Sequence, residues 1–340
     1  MPSTIEVIED QENWNQLLEK VDGHDFYHTF DYHQLSKSDD EKPILIKYEY
    51  ENKIIGLPLL MRKIFDTDYF DITSVYGYAG PLSKNIDESF DADDFKKQLE
   101  AFFKENKIVS VFTRLNPYIQ HQEVILGGLG EIKTLSKIVN INLTRDLDIQ
   151  RSFFSKTTKR YINKARKQCT VRNIESEDDI IIFKELYYEN MDRVNAKESY
   201  YFPENYFNSF INSKEINTDV LFAIHNETNK IISAAMMVKT NKIIQYHISG
   251  TRNDYLYLTP IRLLIDEMRI RGTQENYTCF NLGGGLGNQE DSLFKFKASF
   301  SKDSKDFKIW KFIVNQEIYD KLTNQYAPTM SSDFFPKYRG

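Results

Sequence analysis

The sequence predicts an α+β fold made of two units of similar plan. Two observations carry this: the length and an internal repeat of one hairpin pattern, each copy followed by further strand and helix signals. At 340 residues the chain has room for about two domains. Residues 44–64 read ILIKYEYENKIIGLPLLMRKI, two alternating apolar runs about the polar turn Glu51-Asn52-Lys53. Residues 220–239 read VLFAIHNETNKIISAAMMVK, the same shape about Glu227-Thr228-Asn229-Lys230. Alternation interrupted by a short polar turn is a β-hairpin signal. In both copies the second strand opens Lys-Ile-Ile and passes to a small residue, Gly56 or Ser233.

The first copy continues with a strand over Ile72–Ala79 and a helical stretch near 89–106. The second continues with a strand over Lys242–Ser249, a helix from Pro260 to Arg271 and a strand over Tyr277–Leu282. The Pro260 helix has a clear start, since Thr259 can cap free N–H groups and proline at the first position gives up an N–H that has no helical partner. Ile261, Leu264, Ile265 and Met268 then recur at helical spacing, Arg262, Asp266, Glu267 and Arg269 face outward, and Gly272 is the expected stop. A boundary at 150/151 divides the chain into units 1–150 and 151–340. Asn324–Gly340, with Pro328 and Pro336 and little periodicity, is expected to be an irregular tail.

Composition removes several classes. With 41% hydrophobic and 28% charged residues the chain can build a core and is not disordered. No apolar run approaches the roughly 18 residues that span a bilayer, and MPSTIEVIEDQENW lacks the basic and apolar regions of a secretory signal. Two cysteines, Cys169 and Cys279, make neither a disulfide framework nor a zinc site. A soluble cytoplasmic protein is expected.

Charge is uneven. The chain has 44 basic and 50 acidic residues, net −6, yet residues 151–172 (RSFFSKTTKRYINKARKQCTVR) hold eight Lys or Arg and no acid, which leaves 36 against 50, or −14, elsewhere. This stretch also reads as helix, with Phe154, Tyr161 and Ala165 near one side and Arg160, Lys164 and Lys167 on another. One basic patch on an acidic protein fits an anionic small molecule or a short phosphate-bearing segment better than a general nucleic-acid binder. A solvated basic helix face is the alternative.

The cluster Asn281-Leu282-Gly283-Gly284-Gly285-Leu286-Gly287-Asn288 is neither a Walker loop nor a dinucleotide fingerprint, because the Lys-Ser/Thr and the third glycine are missing. Its glycines suit either backbone pressed against a ligand or a flexible turn. No nucleophile elbow, His-Glu-x-x-His helix or paired-cysteine motif occurs. The six histidines share no ligand spacing beyond His24/His28, so no metal is expected. What remains is a helix start that follows a strand, over Gly250–Ile261, where free N–H groups and the helix dipole favour an anion.

Tyr246-His247-Ile248-Ser249-Gly250-Thr251, the Pro260 helix, Phe280-Asn281-Leu282-Gly283-Gly284-Gly285 and Asp291-Ser292-Leu293-Phe294-Lys295-Phe296-Lys297 resemble the C-terminal half of the GNAT superfamily. More narrowly they resemble its two-lobed branch, shared with the Fem-type peptidoglycan aminoacyltransferases. Arg160-Tyr161-Ile162-Asn163-Lys164-Ala165 and Tyr76-Gly77-Tyr78-Ala79-Gly80-Pro81-Leu82 are similar to elements of the same branch. The resemblance implies two GNAT-like lobes, each a mixed, mostly antiparallel sheet flanked by helices, with the acyl-donor site in the second. It further implies acyl transfer to an amine from a coenzyme A thioester or an aminoacyl-tRNA ester. One departure is visible: the family's pyrophosphate loop is rich in glycine and arginine, whereas this chain has Asn253-Asp254-Tyr255-Leu256-Tyr257-Leu258-Thr259 before the helix.

An amine is its own nucleophile, so the reaction needs only a modest base, oxyanion donors and positioning. His247 is the expected base, with a packed core histidine as the alternative. Tyr246 or Tyr255 is the candidate proton donor to the leaving group. Lys297 falls where the resemblance places a lysine near the reacting centre. Lys295 is read on the same strand face, so one of the two could reach phosphate or the oxyanion, with an outward-facing lysine on a surface strand as the alternative for Lys295. Ser249, Gly250, Thr251, Leu258, Thr259 and Arg262 complete the expected donor contacts. Arg160 and Lys164 are assigned to acceptor phosphates, and Tyr76, Tyr78, Arg193, Tyr201, Gly284 and Gly285 to the acceptor site. The first functional expectation is a coenzyme A-dependent N-acyltransferase acting on a nucleotide-linked amino sugar, as in surface-polysaccharide (O-antigen type) synthesis, with acyl-CoA as co-substrate and no DNA partner. The second is a Fem-type transferase using aminoacyl-tRNA on a peptidoglycan precursor, against which stand the acidic balance and the lack of a long heptad arm. The third is an inactive pair of lobes that binds a nucleotide or a partner.

Overall fold

A computed structural model describes residues 3–327 and 334–340. Two compact units emerge, one comprising Met1–Leu135 with Asp306–Gly340 and the other Ser136–Lys305. The division therefore lies earlier than 150/151, and the end of the chain belongs with the first unit.

The first unit opens with β1 (Thr4–Ile8) and α1 (Gln11–Lys20), whose N-cap Asp10 accepts from the Asn13 N–H. After α2 (Phe30–Ser36) comes the first repeat copy, β2 (Glu41–Tyr50) and β3 (Lys53–Lys63), paired antiparallel in one unbroken register. Gly56, the small residue of the repeat, is where Leu17 of α1 packs down; a Cβ there would meet its side chain at 2.6 Å. β4 (Phe70–Thr73) is shorter than the expected Ile72–Ala79 strand, because the chain turns through Gly77 and Gly80, both at positive φ. β5 (Leu82–Lys84) pairs with β3. The predicted helix is α3 (Asp93–Glu105), with Phe95, Leu99 and Phe103 buried at four-residue spacing. β6 (Ile108–Arg114) runs parallel to β4, and α4 (Gln122–Leu126) follows.

β7 (Glu131–Asn142) leads into the second unit, then α5 (Leu147–Ser152), α6 (Lys156–Gln168), β8 (Cys169–Asn173), α7 (Glu177–Arg193) and α8 (Glu204–Asn212). The second repeat copy is the antiparallel hairpin β9 (Asn217–His225) and β10 (Lys230–Thr240), extended by β11 (Ile243–Thr251). Ser233, the counterpart of Gly56, is buried and donates its hydroxyl to the Gly250 carbonyl at 2.8 Å. α9 (Pro260–Gln274) connects β11 to the parallel β12 (Cys279–Gly283). Gly272 does not end α9; it lies inside it, where a Cβ would meet Ile244 at 2.5 Å and Leu143 at 3.0 Å. α10 (Ser292–Ala298), β13 (Asp303–Ile313) and α11 (Gln316–Tyr326) complete the chain.

The strand order in the first unit is β1-β2-β3-β4-β6-β13, with β5 beside β3, and in the second β8-β9-β10-β11-β12-β7. Each is antiparallel except for one parallel pair, β4/β6 or β11/β12, joined through α3 or α9. The repeat thus extends well beyond the hairpins. In each unit the strand next to the fifth comes from a remote part of the chain: β13 lies beside β6 and β7 beside β12.

Of the tail expected to be irregular, residues 324–327 and 334–340 are described, and they pack onto the first unit. α11 reaches Tyr326, Tyr338 is 1% exposed with its hydroxyl 2.8 Å from Ser110 Oγ, and Arg339 donates to buried Asp71 at 2.6 Å, which also accepts from Arg62. Pro328 lies outside the described residues.

Two histidines in the first unit are fully buried. His33 Nδ1 donates to the Thr29 carbonyl at 2.9 Å, and its ring lies 5.0 Å from that of Trp14. His28 lies beside Asp25, which accepts from Asn116 at 3.0 Å. Burial, with His24 nearby, pushes His28 down to about 3, and burial pushes His33 to about 4, from an ordinary 6.5. Below pH 6.5 the unfolded chain takes up protons that the folded one refuses, so stability is full above 6.5 and falls as pH drops toward 4. The slope should approach about 1.4 kcal/mol per pH unit for each histidine. Urea midpoints measured across this range check it: His33→Gln should flatten the profile, and an unchanged slope would contradict the assignment.

Candidate functional site

The chemistry-bearing residues of the second unit gather where β11 and β12 part. Their parallel ladder covers Ile243–Gln245 against Cys279–Asn281. A buried amide pair closes it, Asn281 Nδ2 donating to Gln245 Oε1 at 2.8 Å. Immediately beyond, β11 carries a bulge: Tyr246 opposes Met237 and Ile248 opposes Met236, so His247 is the inserted residue. A bulge bends its strand and re-aims a side chain. β12 is irregular at the equivalent height, between Asn281 and Gly283, where Asn281 Oδ1 accepts from the Gly283 N–H. The strands therefore form a fork, with His247 on one prong and the glycine cluster on the other.

His247 is half-buried beneath α8. Its Nε2 lies 2.7 Å from the Tyr206 hydroxyl, and its ring is 4.7 Å from that of Phe210. Desolvation pushes the imidazole down to about 3, so it is neutral near pH 7 and a much weaker base than free histidine. Tyr246 turns toward the core; its hydroxyl pairs with Ser249 Oγ at 2.5 Å, and burial pushes the phenol up to about 12. Tyr255 sits instead near the hairpin turn, its hydroxyl 3.3 Å from Thr228 Oγ1.

On the other prong, Lys297 is buried and donates from Nζ to the Gly284 carbonyl at 2.7 Å. Burial pulls its amine down to about 8, against the attraction of Asp291. Asp291 caps α10, accepting from the Phe294 N–H at 2.9 Å, and also accepts from Leu286 N–H at 3.3 Å. Gly285 is pressed into this turn, since a Cβ would lie 1.9 Å from the Gln289 carbonyl. The segment read as a strand with Lys295 and Lys297 on one face is the helix α10, so the two point apart: Lys295 is exposed and Lys297 buried. An alternating Phe-Lys-Phe-Lys run satisfies strand periodicity, but the Asp291 cap commits it to a helix.

The expected donor contacts fare unevenly. Gly250 and Thr251 are strand residues paired with Ala234 and Ser233, not loop. Thr259 takes a left-handed conformation (φ 49°) and makes no capping bond; its hydroxyl is buried without a partner. The N–H groups of Thr259 and Arg262 bond to Leu256 and Thr259 carbonyls, and Pro260 has none, so this helix start offers fewer free donors than expected. Leu258 is wholly buried in the core. Arg262 donates to Thr158 Oγ1 at 2.7 Å and Ser299 Oγ at 2.9 Å while lying 4.6 Å from the Phe296 ring centre.

Among the expected acceptor residues, Arg193 holds the end of β11 through the Thr251 carbonyl and Asn253. Tyr201 donates to Asp192 at 2.7 Å. Arg160 and Lys164 lie on the exposed face of α6, Lys164 reaching the Tyr257 carbonyl at 3.4 Å. Gly284 lends its carbonyl to Lys297. In the first unit, Tyr76 is 63% exposed with Arg114 against its ring, and Tyr78 packs on Tyr27 and Phe307. Sequence reasoning missed Tyr206, Phe210, Gln245 and Asp291; only the last carried a local signal, a cap residue ahead of a helix. Among the described residues no group of three or more His, Cys, Asp or Glu could hold a metal ion, and no helix is long and apolar enough to cross a membrane.

Two mixed-sheet units of matching strand order, the second forked at its parallel pair, give a fold that several solved structures share. The chain is similar to FemX, with a TM-score of 0.73 at 12% identity over 94% of this chain and 99% of that one. It is also similar to a conserved protein of unknown function from Bacteroides thetaiotaomicron (TM-score 0.60, 11% identity, 91% and 100% covered). A third likeness is to L-PGS from Bacillus licheniformis (TM-score 0.57, 14% identity, 91% and 93% covered). At these identities the likeness is one of fold. No protein-family model matches the sequence, and no curated protein sequence does.

Proposed function

We propose that this protein is an N-acyltransferase whose reacting centre is the β11/β12 fork, moving an acyl group from acyl-CoA to the amine of a nucleotide-linked amino sugar. The observation that carries the reading is the fork itself: strands that part at a bulge, with a buried lysine on the opposite prong. Parted strands leave backbone groups for the amides of an extended acyl donor. In the reaction the amine nitrogen bonds to the carbonyl carbon, the carbon–sulfur bond breaks, and the proton lost by the amine balances that gained by the thiolate. The Lys297 ammonium suits the negative charge that develops on oxygen or sulfur. His247, pushed down to about 3, suits a hydrogen-bonding and orienting role with Tyr206 better than that of a strong base.

A second reading, the Fem-type transfer from an aminoacyl-tRNA ester, is favoured by two observations: the fold likeness to FemX, and the scarcity of free N–H donors at the start of α9, where a coenzyme A diphosphate would otherwise sit. A thermal-shift titration with coenzyme A, UDP and dTDP separates the readings. A ligand that binds only the folded state adds about 2.7 kcal/mol at a hundred times its Kd. Stabilisation by coenzyme A, increased by one nucleotide, is the expected result. No response to coenzyme A, with turnover of aminoacyl-tRNA, would replace the first reading by the second.

A further inference from the structure

The eight cations of residues 151–172 divide into two groups in the fold. Three are ion-paired: Arg151 and Arg166 with buried Asp266, at 3.4 and 3.0 Å, a carboxylate shared with Arg269, and Arg172 with Asp179 at 2.7 Å. The other five, Lys156, Lys159, Arg160, Lys164 and Lys167, all lie on α6 and make no ion pair among the described residues. At 100° per residue they fall within an arc of about 140°, opposite the buried Thr158, Ile162 and Ala165, and they extend along roughly 16 Å of helix. Beside the stripe stand two exposed apolar side chains, Leu256 (39%) and Tyr257 (58%), with Lys164 Nζ 5.2 Å from the Tyr257 ring centre.

We propose that this face of α6 docks the protein onto an anionic phospholipid surface. Charge and shape both argue for a plane. The protein is −14 outside residues 151–172, so a partner that wraps several faces meets repulsion, whereas a flat surface laid on the stripe meets its five cations and, in the adjoining turn, the single exposed carboxylate of Asp254. Four of the five cations are lysines, which act as hydrated point charges suited to a diffuse layer of headgroups; none is arranged in the bidentate fork that fixes a single phosphate. Tyr257 and Leu256 supply an amphipathic ring and an aliphatic chain at the depth of the headgroups. The proposal does not depend on the acyl-transfer reading, and its test reads binding alone.

The experiment is co-sedimentation of the full chain with phosphatidylcholine vesicles, with and without phosphatidylglycerol. Binding is expected only to the anionic vesicles and should weaken as salt is added. Each cation near such a surface is worth about fivefold in partitioning, so the triple variant Lys156→Gln/Lys159→Gln/Lys167→Gln should bind about 100-fold more weakly. All three side chains point away from the core, and an unchanged melting temperature confirms that the variant is folded. Tyr257→Ala should weaken binding while leaving its salt dependence intact. Equal binding to both vesicle types, no binding to either, or full binding by the triple variant would overturn the proposal. Displacement from vesicles by single-stranded poly(U) at lower concentration than poly(U)'s equivalent in lipid phosphate would overturn it in favour of RNA.

Discussion

A Lys297→Met variant is expected to fold and to lose acyl transfer by about 10²–10³-fold in kcat, the size of effect seen when a single charge-stabilising donor is removed. The expectation rests on an amine held at one place, 2.7 Å from the Gly284 carbonyl, on the prong facing the bulge. Burial lowers its pKa to about 8, so the ammonium that would stabilise developing negative charge persists below pH 8 and is lost above it. On the proposed acyl-transfer reading, the unsubstituted protein should therefore lose activity as pH rises through 8, and the variant should lack that limb. A base would give the opposite sign, with activity rising through 8. Methionine fills similar space without a buried charge, so melting temperature should not fall. Full turnover by Lys297→Met, with either donor, would remove Lys297 from the reacting centre.

Gly250→Ala is expected to be strongly destabilising to the second unit. A Cβ at this position would stand 2.1 Å from the Leu186 carbonyl oxygen, 2.2 Å from its carbon and 2.6 Å from the Tyr187 nitrogen. These are backbone atoms of α7, which cannot rotate away as a side chain can, so helix and strand must separate. Ordinary overpacking costs about 1–3 kcal/mol, and a rigid backbone contact belongs at or above the upper end. At about 2–4 °C per kcal/mol, that lowers Tm by roughly 6–12 °C or more. Gly23→Ala is the matched control, since nothing lies within 4 Å of a Cβ there. Equal melting of the two variants would show that α7 does not approach β11 so closely. The result bears on function through geometry: the contact fixes the bulged strand that carries His247.

The Gly250 case also shows how far residue type alone can be read. In the sequence this glycine follows a strand and precedes a helix, which is the position of an anion-binding turn. The fold makes it a packing glycine inside the strand. Gly272 behaves similarly, read as a stop and found as a close contact of α9 with the sheet. In both, glycine is required for lack of a side chain rather than for freedom of φ, and sequence cannot separate those reasons. The Asp291 cap shows the converse, because Phe-Lys alternation suggested a strand while the cap residue already carried the correct signal.

The local sequence by itself determined the two hairpins, the helix that starts at Pro260, the presence of two α+β units and the basic face of α6. Each depends on interactions within a few residues: alternation, a fixed proline φ, or charge at helical spacing. Only the tertiary structure decided which five of the eight cations stay unpaired, because Asp266 and Asp179 approach from α9 and α7. It alone gave β13 to the first unit and β7 to the second, and it alone drew Tyr206 over His247, 41 residues apart. Those outcomes depend on which faces the hydrophobic core buries together. Burial also sets the chemistry, turning a histidine of ordinary basicity into a neutral one and lowering a lysine to about 8. Desolvation is a property of the packed site and has no counterpart in the order of residues along the chain.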